Sequence, residues 1–176
     1  EGHMDRVKPS IRKTAKTITL LYLAFLVLGT FEYRIVGMSL LDSCIHAMCS
    51  LSTGGFSSRA SSIGAYNSLG VEIITSQLMI LGTFDFSLLL TLFSGRIRDF
   101  FHSTEIKTFF SLLLTLSGIM ALILIAKGYG FSSTLRVTLS NALSALSTTG
   151  FSTLDYRTLP EEAIFILIML MVVGGG

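Results

Sequence analysis

Charge is scarce in this sequence. Asp, Glu, Lys and Arg make up only 14% of its 176 residues, where an ordinary soluble domain carries about 25%. With 51% apolar residues the mean hydropathy reaches +0.71, so water is not the main solvent and the composition is that of an integral membrane protein. The few basic residues form no amphipathic stripe and do not alternate with aromatics, which excludes a nucleic-acid partner. Cysteine is equally sparse. Cys44 and Cys49 stand five apart on an expected helix, on different faces and too far apart for a disulfide, and are read as small packing residues. No small-residue cleavage pattern follows the first apolar run, so that run is expected to stay in place as a spanning helix and not to be a secretory leader. Residues 1–4, Glu1-Gly2-His3-Met4, resemble a cloning remnant and are set aside.

Four apolar runs are present: 11–31, 71–93, 106–126 and 160 to the end. The first three have about the 20 residues that cross ~30 Å of hydrocarbon at 1.5 Å per residue. The fourth opens with Pro160, Glu161 and Glu162, residue types suited to a helix N-terminus, and stops at Gly174-Gly175-Gly176. The chain is therefore expected to be a fragment of a longer subunit, with self-association of two copies as the alternative. Between the spans lie two stretches, 38–52 and 133–147, too short to cross and expected to be re-entrant half-helices. Each leads into a glycine-containing turn, which at membrane depth implies a cavity or pore.

A shift of 95 residues lays Leu51-Ser52-Thr53-Gly54-Gly55-Phe56-Ser57-Ser58 on Leu146-Ser147-Thr148-Thr149-Gly150-Phe151-Ser152-Thr153, with six of eight positions identical. Carried on without a gap, the same shift lays the first span on the third and the second on the fourth. The expected fold is all-α and integral to the membrane. It has two tandem parallel helix–pore loop–helix repeats of the potassium-channel type: 5–95, a connection 96–105, and 106–176 cut short in its last helix. Parallel repeats share an axis along the membrane normal. Eight of the 13 basic residues (Arg6, Lys8, Arg12, Lys13, Lys16, Arg96, Arg98 and Lys107) fall on one side. The positive-inside rule then puts the N-terminus and the 96–105 connection in the cytoplasm, with the turns entering from outside.

A dehydrated cation needs oxygens in place of its water shell, and a row of backbone carbonyls can supply them. Thr53-Gly54-Gly55 and Thr148-Thr149-Gly150 each join a hydroxyl residue to a glycine free to take unusual backbone angles. The half-helix before each turn brings its partly negative C-terminal end to the membrane centre. Asp85 is the one acid deep in an expected span and is a candidate for drawing cations into a cavity below the turns, with a hydrogen bond to Thr83, Ser87 or a neighbouring helix as the alternative. Phe56 and Phe151 are expected to pack behind the turns, and His46 to be a packing or hydrogen-bonding residue.

With these motifs the chain resembles the TrkH/KtrB/HKT superfamily of potassium transport subunits. Ser-Thr-Gly-Gly-Phe-Ser at 52–57 and Ser-Thr-Thr-Gly-Phe-Ser at 147–152 are similar to the second and third of that family's four pore loops, with Gly55 and Gly150 matching its filter glycine. The resemblance implies a selectivity filter formed by the carbonyls of Thr53, Gly54, Gly55, Thr148, Thr149 and Gly150. It also implies potassium as the transported ion with no covalently bound cofactor, and a plasma-membrane location amid lipid. Further partners would be the remaining pore repeats and a cytosolic nucleotide-binding regulatory subunit. Gly174, Gly175 and Gly176 look like the entrance to the family's intramembrane gate. Two rival functions stand beside this one. An intramembrane enzyme would rest on Cys49 with His46 and Asp42, which the second repeat replaces with Ser144, Asn141 and Val137; the other rival is a non-conducting assembly or regulatory subunit.

Overall fold

The computed structural model describes residues 4–93 and 95–174, and these contain helices and turns with no strand. Eight α-helices follow in order: α1 (Met4–Ile35), α2 (Leu40–Leu51), α3 (Leu69–Thr83), α4 (Phe86–Phe93), α5 (Ile97–His102), α6 (Thr104–Ala126), α7 (Phe131–Leu146) and α8 (Glu161–Gly174). Short 3-10 turns at Ser62–Tyr66 and Tyr156–Thr158 precede α3 and α8. The segment Arg12–Ile35 of α1, and α6, with 24 and 23 residues, are long and apolar enough to cross a membrane.

α1, α2 and α3 pack together as one unit, and α6, α7 and α8 as a second. A buried polar knot ties the first. The Tyr33 hydroxyl on α1 lies 2.7 Å from Thr75 Oγ1 on α3 and 3.1 Å from Ser50 Oγ on α2. Away from water such groups are costly unless paired. The units meet through α3 and α7, where Arg136 donates from Nε and Nη2 to the two carboxylate oxygens of buried Glu72, each at 2.7 Å. This fork-on-fork geometry suits the planar guanidinium.

The span expected at 71–93 is broken. α3 stops at Thr83, Phe84 is extended at φ −80° and ψ 144°, and α4 starts at Phe86. Thr83 Oγ1 donates back to Met79 O at 2.7 Å, a bond that bends helices. Asp85, a preferred N-cap residue type, offers its carbonyl to the amides of Leu88 and Leu89. Asp85 is thus an exposed residue at a helix junction, not an acid within a continuous span. The connection at 96–105 also carries structure: α5 lies within it, and its Phe100 is buried edge-on against Phe84, 6.2 Å between centroids.

Nor do the units superpose without a gap. Gly37 and Gly128, 91 residues apart, both take φ near 90° (93° and 91°), each followed by a residue whose amide bonds five back, Met38 to Tyr33 and Tyr129 to Leu124, at 3.1 Å. α7 then has 16 residues to α2's 12. The four extra residues make about one turn, which raises the offset to 95 at the glycine turns while keeping the same helix face inward.

After the turns the offset falls to 92, as a second pair of glycines shows. A Cβ at Gly82 would lie 2.2 Å from the Leu51 carbonyl oxygen, and one at Gly174 2.0 Å from that of Leu146. In both units the second span seats a glycine on the end of the half-helix, backbone against backbone. Gly174 therefore has a packing role in this structure; Gly175 and Gly176 lie outside the described residues.

This seat is testable in the complete subunit that carries the chain. Gly82→Ala must push α3 off α2, because the obstructing atom is backbone, and overpacking of this kind costs about 1–3 kcal/mol. Gly118→Ala on α6, where nothing lies within 4 Å, gains about 0.5–1 kcal/mol of helix propensity. Melting of the detergent-solubilised protein should fall for the first and hold or rise for the second.

Candidate functional site

The two half-helices end in the same way. After Leu51 the amide of Thr53 bonds Ser50 O at 3.2 Å, and the amides of Gly54 and Gly55 both bond Cys49 O, at 2.8 and 3.3 Å. After Leu146 the amide of Thr148 bonds Ala145 O at 3.1 Å, and those of Thr149 and Gly150 bond Ser144 O at 3.0 and 3.3 Å. This is the Schellman pattern, whose left-handed residue is ordinarily glycine. Here threonine fills it: Thr53 has φ 49° and Thr148 φ 57°. A β-branched side chain in that region costs roughly 1–2 kcal/mol, strain that persists only where surrounding contacts over-determine it.

These bonds set the direction of the carbonyls. In a planar trans peptide the C=O points opposite to the N–H that follows it. Since the amides of residues 53–55 and 148–150 turn back into their half-helices, the oxygens of Ser52, Thr53, Gly54, Ser147, Thr148 and Thr149 are directed away from them. Among the described residues, none of the carbonyls of Thr53, Gly54, Gly55, Thr148, Thr149 and Gly150 accepts a hydrogen bond. The two turns also adjoin. A Cβ on Gly55 would lie 1.9 Å from Thr149 O, so only glycine, at φ 67°, lets the second turn approach this closely. Gly150, at φ 89°, has nothing within 4 Å of its Cβ position. The site is thus a set of unpaired backbone oxygens, suited to a bare cation. No cluster of His, Cys, Asp and Glu able to hold a metal occurs among the described residues.

The segments leaving the turns are clamped to the half-helices. His46 spans from Asp42 O (Nδ1, 2.8 Å) to Ser57 Oγ (Nε2, 2.9 Å). Asn141, at the equivalent position, donates from Nδ2 to Val137 O and to Thr153 Oγ1, both at 2.7 Å. Asp42 adds a second clamp in the first unit, its carboxylate accepting from Ser58 Oγ at 2.5 Å and Arg59 Nη2 at 2.9 Å. Across the units, the Gly64 amide donates to Ser152 O at 3.0 Å and the Ser152 amide to Ser62 Oγ at 3.2 Å.

His46 hydrogen-bonds as its sequence context leads one to expect, but the clamping of the outgoing segments by His46 and Asn141 was not foreseen. The available signal was a side chain able to bond in two directions, His46 or Asn141, at the same place in both repeats. Sequence reading also did not single out the oxygens of Ser52 and Ser147, which are directed the same way, although Ser147 O already accepts from Thr148 Oγ1 at 2.7 Å.

Two expectations change. Phe151 packs behind its turn, 3% exposed, with its ring stacked on His46 of the other unit at 5.9 Å. Phe56 is 77% exposed within this chain, where among the described residues no second half-helix lies against it as α2 lies against Phe151. The grouping of Cys49, His46 and Asp42 also comes apart. His46 meets the main-chain carbonyl of Asp42, not its carboxylate, and its other nitrogen is engaged by Ser57, which leaves Cys49 without a base.

A family model described as TrkH, cation transport protein, matches residues 4–144. Among relatives, a Trk system potassium uptake protein TrkI of Halomonas elongata is 31% identical over 97% of this chain and 35% of its own length. A TrkH of the same organism is 29% identical over 97% and 36%, and an uncharacterized cation transporter of Methanocaldococcus jannaschii is 29% identical over 100% and 35%. The chain thus spans about a third of the length of these relatives. The crystal structure of the potassium transporter TrkH from Vibrio parahaemolyticus shares the fold, with a TM-score of 0.85 over 92% of this chain and 36% of that one at 22% identity. With a family model covering most of its length, the chain belongs to the TrkH family of cation transport proteins.

Proposed function

We propose that this chain supplies two of the pore units of a potassium uptake channel or transporter, in which ions pass the carbonyls of Thr53, Gly54, Gly55, Thr148, Thr149 and Gly150. One observation carries the reading: in both units the amides fold back onto the half-helix and leave adjoining rows of unpaired oxygens pointing away from it. In a membrane such oxygens are costly unless a cation or water meets them. The relatives' names as potassium uptake proteins support it.

On this reading the units are 5–95 and 106–176, joined on the cytoplasmic side, with the turns entering from outside. The other walls of the pore come from further repeats of a longer subunit or from a second copy. Asp85, exposed at the α3–α4 junction, serves as an acid near the inner cavity. Gly174 to Gly176 lead toward the gate, and a cytosolic nucleotide-binding subunit regulates it.

The filter glycines separate this reading from a packing role. In the complete subunit, Gly55→Ser or Gly150→Ser puts a side chain at positive φ, costing about 1–2 kcal/mol, and tilts a carbonyl whose alignment underlies a preference of a few kcal/mol for potassium. Sodium should compete with potassium in a flux assay of both variants. Expression should fall further for Gly55→Ser, which also meets the Thr149 carbonyl. Potassium preference unchanged in both, at normal expression, would return these turns to packing motifs.

The clamps predict a second effect. Asn141→Leu removes the partner of Thr153 Oγ1 and of the Thr153 amide, freeing the segment that follows Gly150. Competition by sodium should rise in the same flux assay while membrane insertion is kept.

A further inference from the structure

A groove of about 500 Å³ runs along the seam between the two units, walled by α3 and α6 and floored by α7. We propose that it binds one acyl chain of a glycerophospholipid, with the lipid phosphate held at Arg136. Walls and floor carry apolar side chains left open on their outer faces: Ile73 is 58% exposed, Leu114 64% and Leu139 48%. Ser76 on α3 and Ser140 on α7 are small enough to let a hydrocarbon chain lie close to the backbone. The amide of Gln77, also on the groove, is turned to Glu32 on α1 at 3.2 Å. Because α6 is long and apolar enough to cross the membrane, the groove lies at membrane depth, where a lipid chain suits its apolar lining.

Length and charge narrow this to a phospholipid. Along α3 the groove extends from Leu69 to Ile80, ~16 Å at 1.5 Å per residue, about half of a ~30 Å hydrocarbon core. That is the depth of one leaflet, the one the glycine turns enter. At its loop-side end lies the Glu72–Arg136 pair, with Glu72 in the first turn of α3. Arg136 uses Nε and Nη2 on Glu72, while Nη1 donates to nothing among the described residues and a third of the side chain is open (34%). A guanidinium with spare donors at headgroup depth matches a phosphodiester oxygen. The lipid would thus lie on the ion pair that joins the two units.

The test uses the complete subunit in vesicles of phosphatidylethanolamine and phosphatidylglycerol, with a trace of phosphatidylglycerol carrying a diazirine midway along one acyl chain. After illumination, mass spectrometry compares labelling of groove peptides with labelling of the outer face of α1 around Leu23 and Val27, an internal reference for annular lipid. The groove should be labelled at least about fivefold more than α1, the ratio one net hydrogen bond to a charged group readily supplies. Ser76→Phe with Ser140→Phe, which fills the groove, should bring it down to the α1 level. Glu72→Gln with Arg136→Gln removes the phosphate partner without stranding a charge, and should lower groove labelling severalfold with α1 unchanged. Equal labelling of groove and α1 in the wild type overturns the site. So does crosslinking of groove residues to a second copy of the subunit. Labelling unaffected by the Gln pair overturns the role of Arg136, whether or not the Phe pair folds.

Discussion

The amides of Gly54 and Gly55 return to the carbonyl of Cys49, those of Thr149 and Gly150 to the carbonyl of Ser144, and planar trans peptides then have no freedom over where the preceding oxygens point. The rest of the structure depends on that constraint. A left-handed threonine at the end of each half-helix is strained, and exposed carbonyls at membrane depth are unfavourable, so neither persists without support. Support comes from several sides: a glycine of the second span against the half-helix end, a clamp from His46 or Asn141 to the outgoing segment, and the Tyr33 knot behind α2.

The contact between the units is directional. The second unit offers Thr149 O and Phe151, and the first receives them with Gly55 and the ring of His46. The first unit's own Phe56 is open, as is the space beside Gly150. In this contact the second unit gives and the first receives. Glu72 on α3 receives Arg136 of α7 in the same sense, so the register of the two turns and the seam between the units are coupled through α7.

How much of this could be read from residues alone differs by element. Apolar runs announced α1 and α6 because length and composition are all a spanning helix needs. The turns were legible because the same Ser-Thr-X-Gly-Phe-Ser pattern occurs twice. Yet this match hid the extra turn of α7: it set the offset at 95, while apolar spans tolerate a shift of three or four residues without a visible mismatch. The break at Phe84 was missed because Phe and Leu continue on both sides of Asp85, and a single acid in an apolar run does not distinguish a buried carboxylate from a helix junction. Phe56 and Phe151 are identical in sequence context and differ only in what the neighbouring unit places against them. The Glu72–Arg136 pair, 64 residues apart, had no local signature.

The central claim is that the oxygens of the two turns face one ion. It is tested most directly by anomalous diffraction from the complete subunit crystallised with thallium or rubidium in place of potassium. Peaks lying between the carbonyls of Thr53 and Gly54 on one side and Thr148 and Thr149 on the other, absent when sodium replaces the heavier ion, are the predicted result. Well-ordered turns with no peak between them, and peaks elsewhere in the protein, would contradict it.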